Sequence, residues 1–455
     1  MNSFLESDFF KLAACCGDAL TDIHIKTFKR EGNIVQADTL LKHCPNLEKL
    51  FFQGMIQKDP PSSSTLWQPN LNDFKHTKLT SLSLLYMNII ETAPGFSFIT
   101  PFLQAAPNLK QLHLNMDNFD DGMDPSDMIL FLQQNCPDIT ALAFCSLRSD
   151  GLFDDIVFNT TVVTTKTTTV ASLTEESKKG IKEGNLKHLI LRGCKFRPHL
   201  IQNIFTTIIQ RFTTTLESLD LVGQELLNEM GMGCLSSLVF FSLKRLKLRL
   251  RINESIHNVQ LLENFFEHSI PNVVQLSLTD VTFGKNNTTF PKLYSGTKHL
   301  RELELRTVNN FTENDLASYL EVAGPQLQKL ILCLELLGPV SLSILFTKCT
   351  NLKELTVRTV LRGPIIELHN QFGRWELGDK KRFRKLEIVF CGRPNQYPSK
   401  IIDNLLNRMN EHAAEWYFEA CCPAAKKKPY ATYDKFSRHQ KFTYAEYRRH
   451  NFRSY

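Results

Sequence analysis

The chain has 455 residues, 42% of them hydrophobic and 22% charged, with a formal net charge of +6. This composition excludes a disordered chain, which lacks the apolar material for a core. Twelve cysteines without a C-x-x-C pair also exclude a disulfide scaffold, and the thiols are expected to be reduced.

The first residues carry Glu6 and Asp8, where a signal peptide needs a basic start followed by an unbroken apolar run. The segment most like a membrane span, residues 331–346, contains Glu335, Gly338 and Pro339 and is shorter than the roughly 20 residues a bilayer demands. The expectation is a soluble protein of the cytoplasm, the nucleus or both, without a membrane.

Taken in chain order, one apolar triplet recurs with the spacing L-x-x-L-x-L. It opens at Leu20 (with Ile23 and Ile25), Leu47, Leu79, Leu109, Ile139, Leu186, Leu216, Leu243, Val273, Leu300, Leu327, Leu352, Phe383 and, most weakly, Ala413. Leu20 to Ala413 is 393 residues over thirteen steps, about 30 per step, just above the usual range for leucine-rich repeats. The fourth and sixth positions share one face of a short strand, and the first packs at the turn leading into it. A unit of this size cannot cover its own apolar edge, so neighbours must stack.

Between triplets the pattern changes to helical intervals, clearest in residues 198–212, 257–268 and 399–412. Pro198 suits a first helical turn, Ser126 precedes Asp127, and Thr312 with Asp315 resembles a capping box. The predicted fold is an α/β solenoid over residues 1–422: about fourteen repeats in a right-handed horseshoe, with a parallel concave sheet and outer helices. An insert at 148–184, which includes the threonine-rich run Asn159 to Thr169, enlarges one repeat; it is expected as an excursion on the rim. The eighth position of each unit, where such repeats usually place Asn or Cys, never holds Asn, so no continuous asparagine ladder is expected.

Four phrases carry a resemblance: His43-Cys-Pro-Asn-Leu-Glu-Lys-Leu50, Ala106-Pro-Asn-Leu-Lys-Gln-Leu112, Cys136-Pro-Asp-Ile139 and Cys349-Thr-Asn-Leu-Lys-Glu-Leu355. They look like the cysteine-containing leucine-rich repeats of F-box proteins, and the likeness covers about residues 9–422. It implies a substrate-binding component of a cullin-based ubiquitin ligase, recognising a protein substrate on the concave repeat face. Such proteins dock to the ligase adaptor through an N-terminal F-box. Here residues 9–17 already read as the helix of the first repeat, and no F-box is recognisable.

Positions two, four, six and seven past the first residue of each triplet place the candidate partner-binding residues on that face: Phe51, Tyr86 and Met116 toward the N-terminal end, His188, Arg192, Arg245, Lys247 and Arg249 in the middle, then Arg306 and Arg358. Exposed aromatic and arginine side chains are common interface anchors; the alternative is a solvated surface with charges paired across strands. Arg245, Lys247 and Arg249 stand on alternate positions of one strand and read as surface cations that invite an anionic partner, so that reversing their charge is expected to leave thermal unfolding nearly unchanged.

Residues 423–455 form a basic aromatic tail, nine Lys/Arg against two acids with eight aromatic rings. Lys426, Lys427, Lys428, Arg448 and Arg449 are its candidate contact residues. Such a tail suits nucleic acid, a docking signal, or folding back on the last repeat. The acidic stretch 117–127 fits a calcium loop poorly, with Phe119 where an oxygen ligand is required, and reads as a polar loop. Cys15-Cys16 and Cys421-Cys422 read as buried small apolar pairs. No phosphate-binding glycine loop or hydrolase motif is present, so the expectation is a binding protein without catalytic residues, cofactor or metal. The alternatives are a repeat scaffold unrelated to ubiquitin ligases and a nucleic-acid-associated protein held by its tail.

Overall fold

The computed structural model describes residues 11, 13–26, 37–53, 71, 74–85, 99–115, 131–132, 134–145, 185–193, 198–223, 226–250, 256–283, 293, 296–306, 308, 310–333, 338–359, 383–391, 404–405, 407–409, 413–421 and 436–437. They belong to two compact units, Met1–Ile208 and Ile209–Tyr455.

Every predicted triplet becomes a strand, with its fourth and sixth positions on one face. In the first unit, β1 (Asp22–Lys26), β2 (Lys49–Gln53), β3 (Ser81–Leu85), β4 (Gln111–Asn115), β5 (Ala141–Cys145) and β6 (His188–Arg192) lie side by side in chain order. All are parallel. In the second unit the same holds for β7 (Ser218–Val222), β8 (Arg245–Arg249), β9 (Gln275–Thr279), β10 (Glu302–Arg306), β11 (Lys329–Cys333), β12 (Glu354–Thr359), β13 (Phe383–Cys391) and β14 (Ala413–Cys421). The class is α/β with parallel sheets.

Register is set twice over. Leucine pairs with leucine, as in Leu246, Leu276, Leu303 and Leu330 on successive strands. At the entry to β2 to β6 and β8 to β13, two adjacent N–H groups donate to one carbonyl of the preceding repeat, as Val274 and Gln275 do to Lys244, Arg301 and Glu302 to Val274, and Gln328 and Lys329 to Arg301. A slip of one residue would carry the leucines to the opposite face.

The core lies under the sheets, where the fourth- and sixth-position side chains such as Leu303, Leu305, Leu330 and Leu332 are buried, each worth roughly 1.5–3 kcal/mol. It is closed by helices or turns between strands: α1 (Ala37–His43), α2 (Thr100–Ala105) and α3 (Pro198–Asn203) in the first unit, α4 (Glu229–Ser236), α5 (Ile256–Asn264), α6 (Glu313–Ala323) and α7 (Pro339–Lys348) in the second. The expected capping box forms at α6, Thr312 accepting from the Asp315 N–H and Asp315 from the Thr312 N–H. Glu313 reaches the next helix and accepts from the N–H groups of Val340 and Ser341 at 2.7 and 3.1 Å, favourable at a helix N-terminus. The segment expected at 257–268 is α5 followed by a π-helical turn, Phe265–Ser269, that buries Phe265 and Phe266.

Asparagine side chains bridge to the preceding repeat in four separate units, no two of them adjacent, from the residue before the triplet: Asn46 donates to the Asp18 carbonyl at 2.6 Å, Asn108 to Thr77 at 2.7 Å, Asn272 to Phe241 at 2.8 Å and Asn351 to Pro325 at 2.6 Å. Each side chain satisfies a carbonyl of the preceding repeat at the turn into its strand.

The cysteines at the ends of the helices, Cys44, Cys136 and Cys349, are buried. Burial pushes the Cys136 thiol up to about 12, so it behaves as a small apolar group whose sulfur lies 3.5 Å from the Ala106 carbonyl oxygen. Cys15 and Cys16, expected to be buried, are exposed. Residues 13–16 are helical, and it is Ala13 and Gly17, four apart on one face, that turn inward.

From the tail, Phe436–Ser437 forms a short strand, β15, antiparallel to Tyr417 and Phe418 of β14. A segment of the tail thus returns to the last repeat strand. Its candidate residues Lys426, Lys427, Lys428, Arg448 and Arg449, the insert 148–184 and the acidic stretch 117–127 lie outside the described residues.

Candidate protein-interaction face

A parallel sheet is normally covered on both faces. In β8, β9 and β10 buried and half-buried residues alternate strictly, so the second unit covers one face and leaves the other open. The open face carries the first, third and fifth residues of β8, β9 and β10. A depression of about 230 Å³ lies on it, lined by Asp220, Arg245, Lys247, Gln275, Ser277, Glu302, Glu304 and Lys329 among others.

Arg245, Lys247 and Arg249 stand together on β8 as the sequence predicts, but carboxylates from neighbouring strands attend them. Arg249 Nε meets Asp280 Oδ2 at 2.8 Å, with both side chains about one-fifth exposed. Asp280 directly follows β9, and its left-handed backbone, φ 55°, marks a sharp bend there that Asp tolerates better than most residues. Lys247 is in register with Asp220 of β7, which is buried.

Glu304 is the electrostatic centre of the face. Burial alone pushes its carboxyl up, but the Ser277 hydroxyl, the Arg306 guanidinium and Lys247 outweigh burial and hold it below its usual range. Arg306 engages Glu304 through Nε. Along the first positions of successive strands the charges alternate. Gln275 donates to Glu302 at 2.8 Å, and Lys329 lies 3.8 Å from both Glu302 and Glu354. Arg384 also contacts Glu354. The surface is polar and largely self-neutralised.

The first unit differs. Phe51 is half-buried and packs edge-on against His24, ring centroids 4.0 Å apart. His188 is half-buried. Arg192, expected to be exposed, is only 9% exposed, which removes it as a free anchor. The flanking β5 is buried along its whole length, and the uniformly apolar run Ala-Leu-Ala-Phe-Cys signals a strand covered on both faces. Tyr86 and Met116 lie outside the described residues. Arg358 sits on β12 in register with Cys333 and Val389, its side chain not described.

His113, on β4, is buried at 2% exposure. Burial, with Arg192 adding repulsion, lowers its pKa from 6.5 to about 4. Below pH 6.5 the unfolded chain binds a proton that the folded chain refuses, so stability falls as pH drops from 6.5 toward 4 and levels off below. The full loss is up to about 3 kcal/mol. Urea midpoints against pH check this. The wild type and His113→Phe are expected to keep a constant difference above pH 6.5, and below it the wild type loses more stability.

The residues that sequence reasoning missed are Asp220, Asp280 and Ser277, together with the separate side-chain bridges of Asn46, Asn108, Asn272 and Asn351. Among the described residues no group of three His, Cys, Asp or Glu side chains is placed to hold a metal ion, and no helix is long and apolar enough to cross a membrane. Comparison of the chain with protein-family models and with curated proteins returns no match.

Proposed function

We propose that the chain is a leucine-rich-repeat solenoid whose role is protein recognition, not catalysis. Its more specific assignment is the substrate-binding part of a ubiquitin ligase, of the F-box and leucine-rich-repeat kind, in the cytoplasm or nucleus. The observation that supports recognition is the open face of the second unit, where a parallel sheet leaves rows of half-exposed charged side chains on a regular frame. A surface of that kind suits contact along an extended partner. The four Cys/Ala-Pro/Thr-Asn/Asp-Leu/Ile phrases support the ligase assignment by resemblance.

Affinity purification of the full chain from native extracts, with the proteasome blocked, is expected to recover cullin-ligase subunits together with a substrate. Recovery of a partner without any ligase subunit would leave a recognition scaffold and remove the ligase assignment. In the same purification Lys247→Gln is expected to reduce the captured partner, and capture equal to wild type would place recognition elsewhere than on this face.

A further inference from the structure

At the edge where the strands of the second unit begin, the residue after the first of each triplet is tied to its counterpart in the next repeat by main-chain hydrogen bonds. From β10 to β13 the Gln328 N–H donates to the Arg301 carbonyl at 2.7 Å, Lys353 to Gln328 at 2.8 Å and Arg384 to Lys353 at 2.8 Å. Each step is one strand spacing of about 4.8 Å, so Arg301, Lys353 and Arg384 stand on a row roughly 14 Å long.

The entry turns that carry this row hold charge of one sign. Residues 296–301, 324–328, 347–353 and 383–384 include Lys298, Arg301, Lys348, Lys353 and Arg384 but no Asp or Glu, and all five cations are exposed. The acids that follow, Glu302, Glu304, Glu354 and Glu387, lie on the strands, where Lys329, Arg306 and Lys385 already meet them. Among the described residues no acid pairs with Lys298, Arg301 or Lys353, and Arg384 shares Glu354. Lys348 closes the last turn of α7, where a cation complements the free carbonyls, so it has a structural role of its own. The others have none. Their mutual repulsion is screened in water, and what they present is a strip of positive field.

The chemistry of the strip selects its partner. Protein surfaces carry both signs of charge, and interfaces between them are built around an apolar core. A nucleic acid instead presents a negative charge at every step of its backbone. Binders of single strands add aromatic platforms for the bases. In these turns the one Phe, Tyr or Trp is Phe383, and it is buried. We infer that the strand-entry edge from β10 to β13 binds the phosphate backbone of a nucleic-acid duplex through Lys298, Arg301, Lys353 and Arg384, without reading base sequence. This site is separate from the open face and does not depend on that face being a recognition surface.

The test titrates the purified full chain with a short fluorescent DNA duplex over a series of salt concentrations. The slope of log K against log salt is about −0.9 per phosphate neutralised, so removing two cations flattens it by about 1.8. Arg301→Gln combined with Lys353→Gln is expected to show that change. Lys42→Gln combined with Lys110→Gln removes the same charge from exposed positions of the first unit and is expected to leave the slope as it is. Both double variants are expected to unfold at the wild-type temperature, because exposed side chains without partners contribute little to stability. The basic tail is common to all three proteins and cancels in the comparison. Absence of duplex binding, an unchanged slope in the Arg301 and Lys353 variant, or equal flattening in the first-unit variant would overturn the inference. So would tighter binding of oligothymidylate, polyglutamate or phosphatidylserine vesicles than of the duplex.

Discussion

Two glycine-to-alanine substitutions in the second unit are expected to act in opposite directions. Gly296→Ala destabilises, because a Cβ there would lie 1.5 Å from the carbonyl oxygen and 2.6 Å from the carbonyl carbon of Phe266. Phe266 belongs to the π-helical turn Phe265–Ser269 and is itself fully buried, so main chain, not a flexible side-chain tip, must retreat. Overpacking of this kind costs about 3 kcal/mol. Gly233→Ala stabilises: it lies inside α4, and its added Cβ meets nothing within 4 Å. There the gain is the ~0.5–1 kcal/mol by which alanine exceeds glycine in a helix interior. Urea denaturation of the two single variants should move the midpoint down and up respectively. An unchanged or raised midpoint for Gly296→Ala would contradict the close packing of Gly296 against the turn, and a lowered one for Gly233→Ala would contradict the open space around that position.

The second large effect concerns β8. Replacing Arg245, Lys247 and Arg249 together by Glu is expected to lower stability by about 2–4 kcal/mol, below the cost of breaking a fully buried pair because these side chains are half-exposed. The sequence reads these three as surface cations whose reversal leaves the fold intact. The structure places Asp280 against Arg249, Asp220 opposite Lys247, and Glu304 within the electrostatic reach of Lys247. Reversal would crowd like charges on adjacent strands. The glutamine versions should cost less, since they remove attraction without adding repulsion. Thermal unfolding of the two triple variants measures the difference, and equal transition temperatures would show that the carboxylates do not depend on these cations.

The strand positions are legible in the sequence because one property encodes both things at once: leucine at the fourth and sixth positions states which residues are buried, and the ~30-residue period states which strands are neighbours. The capping box at Thr312 and Asp315 is likewise local and readable. The partners of the arginines are not. Arg249 and Asp280 are separated by 31 residues, and their meeting depends on register and on the bend at Asp280, neither of which the spacing of leucines supplies. The burial of Arg192 was within reach, since the apolar run of β5 contradicts an alternating strand. The asparagine bridges are visible in Pro45-Asn46-Leu47 and Pro107-Asn108-Leu109, one residue before the triplet instead of at its eighth position.

Those bridges bear on how the chain comes into being. Each asparagine side chain reaches back only 26 to 31 residues, and the paired N–H groups at the strand entries also reach back by about one period. Links of such short range keep the loop-closure cost of each step small. A nascent chain emerging from the ribosome can therefore settle one period onto the last, its order growing from the amino end while the carboxyl end is still unmade.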